Sequence, residues 1–191
     1  MKKSVVLLAL LCATSMVSGQ NEISIDTSKS LVKWTGSNLF KFNKHFGTVK
    51  FRNGVFLKRR GSIFGGKFEM DMTSIINTDG KYNEMLVWHL KNEDFFDVEK
   101  YPTSKLEILS VRYNDHTNVE IEANLTIKNT TQPIAFGATL ENLNDKLVLK
   151  SKFIIDRTRW AITYESKSLL NSLKDDIISD AIAFEVIVYT K

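Results

Sequence analysis

Val119-Glu120-Ile121-Glu122-Ala123-Asn124-Leu125-Thr126-Ile127 alternates apolar or small with polar side chains without a slip. Only an extended strand, with its side-chain period of two, sorts such residues onto two faces, whereas a helix would scatter them around its circumference. One face of this strand meets a core and the other meets water. The same period continues toward the C-terminus in Ile134-Ala135-Phe136-Gly137-Ala138-Thr139-Leu140, in Leu147-Val148-Leu149-Lys150-Ser151-Lys152-Phe153 and in Ile182-Ala183-Phe184-Glu185-Val186-Ile187-Val188. Toward the N-terminus it recurs in Leu106-Glu107-Ile108, Phe68-Glu69-Met70-Asp71-Met72-Thr73, Val49-Lys50-Phe51-Arg52 and Val32-Lys33-Trp34-Thr35-Gly36. Turn chemistry separates these runs at Arg52-Asn53-Gly54, Arg59-Arg60-Gly61, Asn114-Asp115-His116, Asn129-Thr130-Thr131 and Asn142-Leu143-Asn144-Asp145. The pattern predicts about eight to ten antiparallel strands joined by short hairpins, closed as a barrel or stacked as a sandwich.

Two stretches break the period. Tyr82, Met85, Leu86, His89 and Leu90 follow helical spacing and predict a helix over Tyr82–Leu90, packed across one opening of the sheet structure. Asp94-Phe95-Phe96-Asp97-Val98 reads as a short helical turn with Asp94 as its N-cap. The second interruption, Ser166 to Asp180, is a long loop or short helix. No solenoid or propeller repeat, low-complexity tract or interdomain linker is present.

The chain has 191 residues, a hydrophobic fraction of 43% with 12 Phe, and only 2 Pro. That length suits one domain with a substantial core and excludes disorder as the overall state. Met1-Lys2-Lys3, the apolar run from Val5 to Leu11 and the small residues Val17-Ser18-Gly19 have the form of a secretory signal peptide. The run is shorter than the roughly 20 apolar residues a spanning helix needs. Cleavage after Gly19 would remove 19 of 191 residues, leave a domain of 172 beginning at Gln20, and place the protein in the periplasm or outside the cell. Losing the two leader lysines leaves 24 basic against 22 acidic groups, a net charge of +2 instead of +4. With no long basic run, nucleic-acid binding is not expected. Cys12, the only cysteine, follows Leu11 rather than the small residue a lipid-attachment signal wants, so lipidation is not expected. The exported domain would then hold no disulfide and depend on its core.

Catalytic signatures are absent from the sequence. His45, His89 and His116 have no metal-binding spacing, and His89 beside Leu86 and Leu90 reads as a packed or capping histidine. Asp79, Glu84 and Asp94 form either an acidic cluster or ordinary solvated charges around a helix. There is no nucleophile elbow and no phosphate-cradling loop, and Gly65-Gly66 precedes a strand, as a bend or bulge does. Asp156-Arg157-Thr158-Arg159-Trp160 is the most charged segment near a strand end. Asp156 and Arg157 either close that end through hydrogen bonds with Trp160 beneath, or Arg157 meets the polar head of a ligand. Asn124-Leu125-Thr126 and Asn129-Thr130-Thr131 match a glycosylation pattern that only a eukaryotic secretory route would use.

Taken in order, several of these segments resemble one family, the YceI-like, lipocalin-like polyisoprenoid-binding proteins of bacteria. They are Val32-Lys33-Trp34-Thr35-Gly36, Lys44-His45-Phe46-Gly47-Thr48-Val49, Gly65 through Ile75, and His89-Leu90-Lys91-Asn92-Glu93-Asp94-Phe95-Phe96-Asp97-Val98-Glu99-Lys100-Tyr101-Pro102. Leu125-Thr126-Ile127-Lys128, Asp156 through Trp160, and Ser179-Asp180-Ala181-Ile182 complete the set. Ala123 and Asn129 depart from the family's usual glycines, and Ser166-Lys167-Ser168-Leu169-Leu170 departs from its usual Gly and Phe residues. The resemblance implies an all-β, eight-stranded antiparallel lipocalin-like barrel with a helix inserted between two strands. It also implies an apolar cavity for a long isoprenoid chain, such as a quinone or polyprenyl lipid, with no metal, cofactor or catalytic group.

An eight-stranded barrel is either filled by side chains or just wide enough for one thin ligand. Under the second reading the ligand-binding positions are Val49, Phe51, Phe68, Met70, Met72, Leu106, Ile108, Ile121, Leu125, Phe136, Phe153, Phe184 and Val186, with Arg157 toward the head group. The expected role is transport, storage or sequestration of the lipid, with transient membrane contact during loading. The alternatives are a solidly packed interaction module partnering a secreted or membrane protein, and an enzyme using His89 or His45 as a base on a hydrophobic substrate. Alternation alone does not separate a filled barrel from a hollow one.

Overall fold

The long alternating runs do form strands, and hydrogen bonding carries them around into a ring. The structure is a computed structural model that describes residues 21–38, 43–80, 83–143, 146–166 and 177–191. Its strands are β1 (Asn21–Ser24), β2 (Leu31–Ser37), β3 (Lys44–Arg59), β4 (Ser62–Asn77), β5 (Thr103–Tyr113), β6 (Asn118–Ile127), β7 (Thr130–Leu143), β8 (Lys146–Asp156) and β9 (Ala181–Tyr189). Each pairs antiparallel in the order β1-β3-β2-β9-β8-β7-β6-β5-β4, and a further β3–β4 pairing closes β2 through β9 into an eight-stranded barrel. β1 is the addition: Asn21–Ser24 pair with 55–58 of β3, on the edge where β2 pairs with Lys44–Lys50. The outer wall carries cross-strand charge pairs directly opposite in register, among them Lys152–Glu185 at 3.1 Å, Lys67–Glu107 at 3.3 Å and Arg112–Glu120. These pairs add little stability each, but they keep that face wet.

Turn chemistry explains the hairpins. Arg60 and Gly61 both have positive φ, 49° and 90°, which is the I′-type geometry that matches strand twist between β3 and β4. The β5–β6 turn is held by Asp115, whose Oδ1 accepts from the Thr117 and Asn118 amides at 2.8 and 2.7 Å. Those bonds, Asn118 foremost, hold its carboxyl down at about 2. Lys128 at φ 55° turns β6 into β7. The turn expected at Asn142–Asp145 lies partly outside the described residues, as does most of Ser166–Asp180.

Arg52-Asn53-Gly54 is not a turn. β3 runs straight through it, with a register shift between Phe51 and Asn53 that marks a bulge. Gly54 is required by packing: a Cβ there would lie 2.6 Å from the Phe68 ring and 3.0 Å from Ile25. The glycine was a correct sign of irregular backbone, but tertiary packing rather than chain reversal demanded it. Another β3–β4 shift, between Leu57 and Lys58, skips Phe64, so the Gly65-Gly66 pair lies inside β4 next to a bulge rather than ahead of a strand. A further shift, on β5 between Ile108 and Ser110, turns Leu109 outward and leaves it 55% exposed.

One helix, α1 (Asn83–Lys91), joins β4 to β5, with Glu84 in its first turn and His89 and Lys91 in its last, matching the helix dipole. Tyr82 lies outside the described residues. Asp94–Val98 is a run of turns rather than a capped helical turn. The capping role falls to Asn92, whose Oδ1 accepts from Glu93 N at 2.8 Å and whose carbonyl accepts from Phe95 N and Asp97 N at 3.1 and 2.8 Å. Asp97, at φ 49°, is left-handed and incompatible with helix.

Candidate functional site: an apolar cavity with a polar mouth

Inward side chains fill one end of the barrel and leave the middle hollow. The enclosed space is about 570 Å³, within the about 300–1,000 Å³ of small-molecule pockets. One wall is aromatic. Phe136 stacks on Phe153 with centroids 4.6 Å apart at 19°, Phe153 lies 5.5 Å from Phe184, and Phe184 pairs in register with Trp34. These four rings come from β7, β8, β9 and β2, each brought alongside the next by antiparallel register. Across the cavity, Phe68 meets Phe56 edge-on at 5.0 Å and Phe51 at 6.3 Å. Met70, Met72, Leu106, Ile108 and Leu125 continue that wall, and Val49 and Val186 line the space as well. Polarizable rings and thioethers suit a flexible hydrocarbon because dispersion contacts impose no fixed direction. The Ser151 hydroxyl inside this lining donates to the Gly137 carbonyl at 2.6 Å.

Two positions assigned to the lining lie elsewhere. Ile121, 1% exposed, belongs to the packed core beyond the cavity floor. Arg157, fully buried, closes the barrel end: Nε donates to Ser179 O at 3.2 Å, Nη1 to Ile162 O at 3.0 Å and Nη2 to Ile178 O at 3.2 Å, with Asp180 Oδ1 3.3 Å away. Its guanidinium stands 5.2 Å from the Phe95 ring. Burial pushes its pKa down while Asp180, Asp156 and Glu165 oppose the shift. Three of its donors meet backbone carbonyls and Nη2 also faces the Asp180 carboxylate, so the guanidinium is engaged by the protein itself. Beside it, Asp156 Oδ1 accepts from Thr158 N at 2.9 Å, capping the 3-10 turn Arg157–Trp160, and the buried Trp160 donates from Nε1 to Leu125 O at 3.0 Å. The barrel-closing reading of this segment is the one the geometry supports.

Sequence reasoning missed other lining positions that its own patterns contained. Val32 and Trp34 alternate inward on β2, Leu149 and Ser151 precede Phe153 on β8, and Val188 follows Val186 on β9. Leu86 and Leu90 of α1, with Phe95 and Phe96 after it, cover the cavity, and helical spacing alone did not say which way they faced.

Polar groups gather at the α1 end. Ser37, Asn38, Asn43, His45, Glu165 and Ser179 line the opening, together with His89 and Tyr164. His89 stacks on Tyr164 at 5.8 Å and 26°, and its Nδ1 is 3.9 Å from Asp94 Oδ2, too long for a hydrogen bond. Burial, reinforced by Glu165 and Asp94, pushes the Tyr164 hydroxyl pKa up. His45 Nδ1 lies 2.7 Å from Asp79 Oδ2. No group of three or more His, Cys, Asp or Glu suited to a metal occurs among the described residues.

A closed antiparallel barrel of eight strands, hollow at its centre and roofed by one helix, defines a lipocalin-like class of protein. The match to the YceI-like domain runs over residues 24–188, and the chain belongs to that family. It is 27% identical over 133 residues to a UPF0312 protein of Pseudomonas putida strain F1, covering 69% of this chain and 67% of that one. Among solved structures it is similar to BcnA of Burkholderia cenocepacia, with a TM-score of 0.65 at 15% identity over 87% of this chain and 99% of the other. A polyisoprenoid binding domain from Saccharophagus degradans, implicated in plant cell wall breakdown, has a TM-score of 0.65 at 12% identity over 91% and 99%. The YceI protein of Campylobacter jejuni has a TM-score of 0.54 at 18% identity over 68% and 74%. At these identities the structural likeness speaks for the fold.

Proposed function

We propose that this protein is a non-catalytic carrier that holds one long isoprenoid lipid in the barrel, chain end deep and head group at the α1 end. The observation that carries the reading is the gradient within a single cavity. Its depth is lined mostly by rings, thioethers and aliphatic groups, with the Ser151 hydroxyl bonded to Gly137 O, while most of the polar lining residues gather at the mouth beside apolar residues of α1 and the turns after it. A chain with a polar end is best accommodated there with its head toward the mouth. Each buried CH₂ contributes about 0.8 kcal/mol, so binding needs no directional contact along the tail. A structural neighbour described as a polyisoprenoid binding domain supports the chain type.

The role extends to transport, storage or sequestration outside the cytoplasm, after a leader ending at Gly19 is removed. An aqueous compartment is where a free prenyl lipid would need a carrier, and loading then involves brief membrane contact. Organic extraction of protein purified from its native host, followed by mass spectrometry, tests the ligand, and an isoprenoid recovered at about one per chain is expected. Intact mass tests the processing, with a chain starting at Gln20 expected. Repeated extraction yielding no lipid, with purified isoprenoids failing to bind, would overturn the carrier reading.

A further inference from the structure

Two buried indoles in this barrel are treated differently. Trp160, fully buried, gives its Nε1–H to the Leu125 carbonyl at 3.0 Å. Trp34 is 8% exposed and lines the cavity, yet its Nε1 is shielded and has no hydrogen-bond partner among the described residues. An indole N–H donates and never accepts, so what it lacks is an acceptor. Buried tryptophans usually find one, because an unmet donor keeps the full cost of leaving water. Trp88, the third tryptophan, is 59% exposed and faces solvent.

Local packing fixes where the unmet donor sits. Trp34 pairs in register with Gly47, and Gly47 pairs with the last residue of β4, so the indole lies toward the α1 end of the cavity. A Cβ on Gly47 would come within 2.7 Å of Trp34 Cζ2, which is bonded to the ring carbon that bears Nε1. Only glycine leaves room there, and that edge of the ring lies across β3. The next inward position on β2 is Gly36, which also lines the cavity, and a Cβ built on it meets nothing within 4 Å. Ser37, its chain neighbour, lines the opening. Between the indole and the mouth, β2 therefore puts no side chain into the cavity and leaves a hollow.

We infer that the hollow over Gly36 seats a head group bearing an acceptor oxygen, such as the carbonyl of a quinone, and that Trp34 Nε1–H donates to it. The inference rests on the carrier reading and adds the chemical class of the head. A small tilt of the ring toward the hollow brings the N–H to that oxygen, and an indole N–H has no alternative proton position to settle first. A chain without an oxygen leaves the donor unmet. Sites that hydrogen-bond a ligand group reject the analogue lacking it far better than apolar pockets discriminate chain length.

Two tail-matched probes test this on delipidated protein: a prenylated quinone, and the same prenyl chain with no head group. The first readout is the indole N–H resonances of the wild-type chain. The quinone should move the Trp34 proton downfield, the headless chain should leave it near its ligand-free position, and the Trp160 proton, already bonded, should respond to neither. The second readout is affinity. The preference for quinone over headless chain should fall about five- to tenfold in Trp34→Phe, the scale of one net hydrogen bond. Taking that preference as a ratio within each protein cancels what the smaller ring does to the shared tail. Gly36→Val has no neighbour to strike and should keep headless binding while losing most of the preference. Retained headless binding shows that each variant is folded, and the wild-type resonance decides even where Trp34→Phe does not fold. A Trp34 proton that ignores a bound quinone, or moves as far with the headless chain, would overturn the inference. A preference unchanged in both variants would do the same, and in each case headless binding leaves the carrier reading intact. Failure of both probes to bind the wild type would bring down both.

Discussion

Away from α1, Ile25, Ile63 and Ile121 are at most 4% exposed and lie outside the lining of the cavity, whereas farther along the same barrel Phe136, Phe153 and Phe184 stand half-buried around it. Both ends are built from strands with the same inward period. They differ in what closes them. Short hairpins gather the far end, so aliphatic side chains from opposite strands meet. At the other end a helix, the turns after it and the buried Arg157 span the opening from outside, and the ring walls stay apart. A barrel of this size is therefore solid or hollow according to its closures as much as its strands.

The largest expected effect comes from breaking the closure at the open end. Arg157→Met leaves three carbonyls and Asp180 without their cation, and should cost about 3–5 kcal/mol in urea unfolding. A loss below about 1 kcal/mol would mean that this end does not depend on Arg157.

Next, Ile121→Ala should cost about 2–4 kcal/mol, since it opens a void in a packed region. Leu106→Ala on the cavity wall should cost about 1 kcal/mol, because its neighbours already face empty space. Equal losses for the pair, measured in the same denaturation series, would erase the distinction between filled and hollow ends.

Met70→Trp sharpens the comparison by adding bulk to the hollow part. Stability should change by less than about 1 kcal/mol, while lipid recovered by extraction falls to background. Overpacking losses of about 1–3 kcal/mol, with lipid still bound, would argue for a solid interior.

The smallest effect belongs to the β5–β6 turn at the closed end. The Asp115 carboxyl sits at about 2 in the folded chain against an ordinary 3.8. A depressed carboxylate stabilises the fold fully above its unfolded value and loses that contribution as pH falls toward the folded one. Stability attributable to this turn should therefore be constant above about pH 5 and decline between about pH 4 and pH 2. Asp115→Asn should flatten that part of the profile, as read by acid titration of the unfolding midpoint.

The alternating runs were enough to place most strands, because a period of two has one structural meaning at this length. β1 was missed, since Asn21–Ser24 is short and mostly exposed, and β3 was cut at Asn53-Gly54, where a bulge and a turn ask for the same residue. The lining was largely legible for the same reason as the strands, though the resemblance to a family, rather than periodicity, supplied the expectation of a hollow interior. Which inward residues meet a cavity depends on distances across the barrel. Ile121 and Leu106 are both inward and aliphatic, and only the position of the floor separates them.

What the sequence determined by itself is the local chemistry: strand period, hairpin turns, one amphipathic helix and a surplus of inward aromatic residues. These follow from near neighbours along the chain, whose geometry the backbone already sets. Tertiary structure alone decided that Arg157 faces carbonyls instead of a ligand and that Phe136, Phe153, Phe184 and Trp34 form one wall. It also decided that His45 lies against Asp79, 34 residues away along the chain. Those relations arise from ring closure and inter-strand register, and no residue carries either in its immediate neighbourhood.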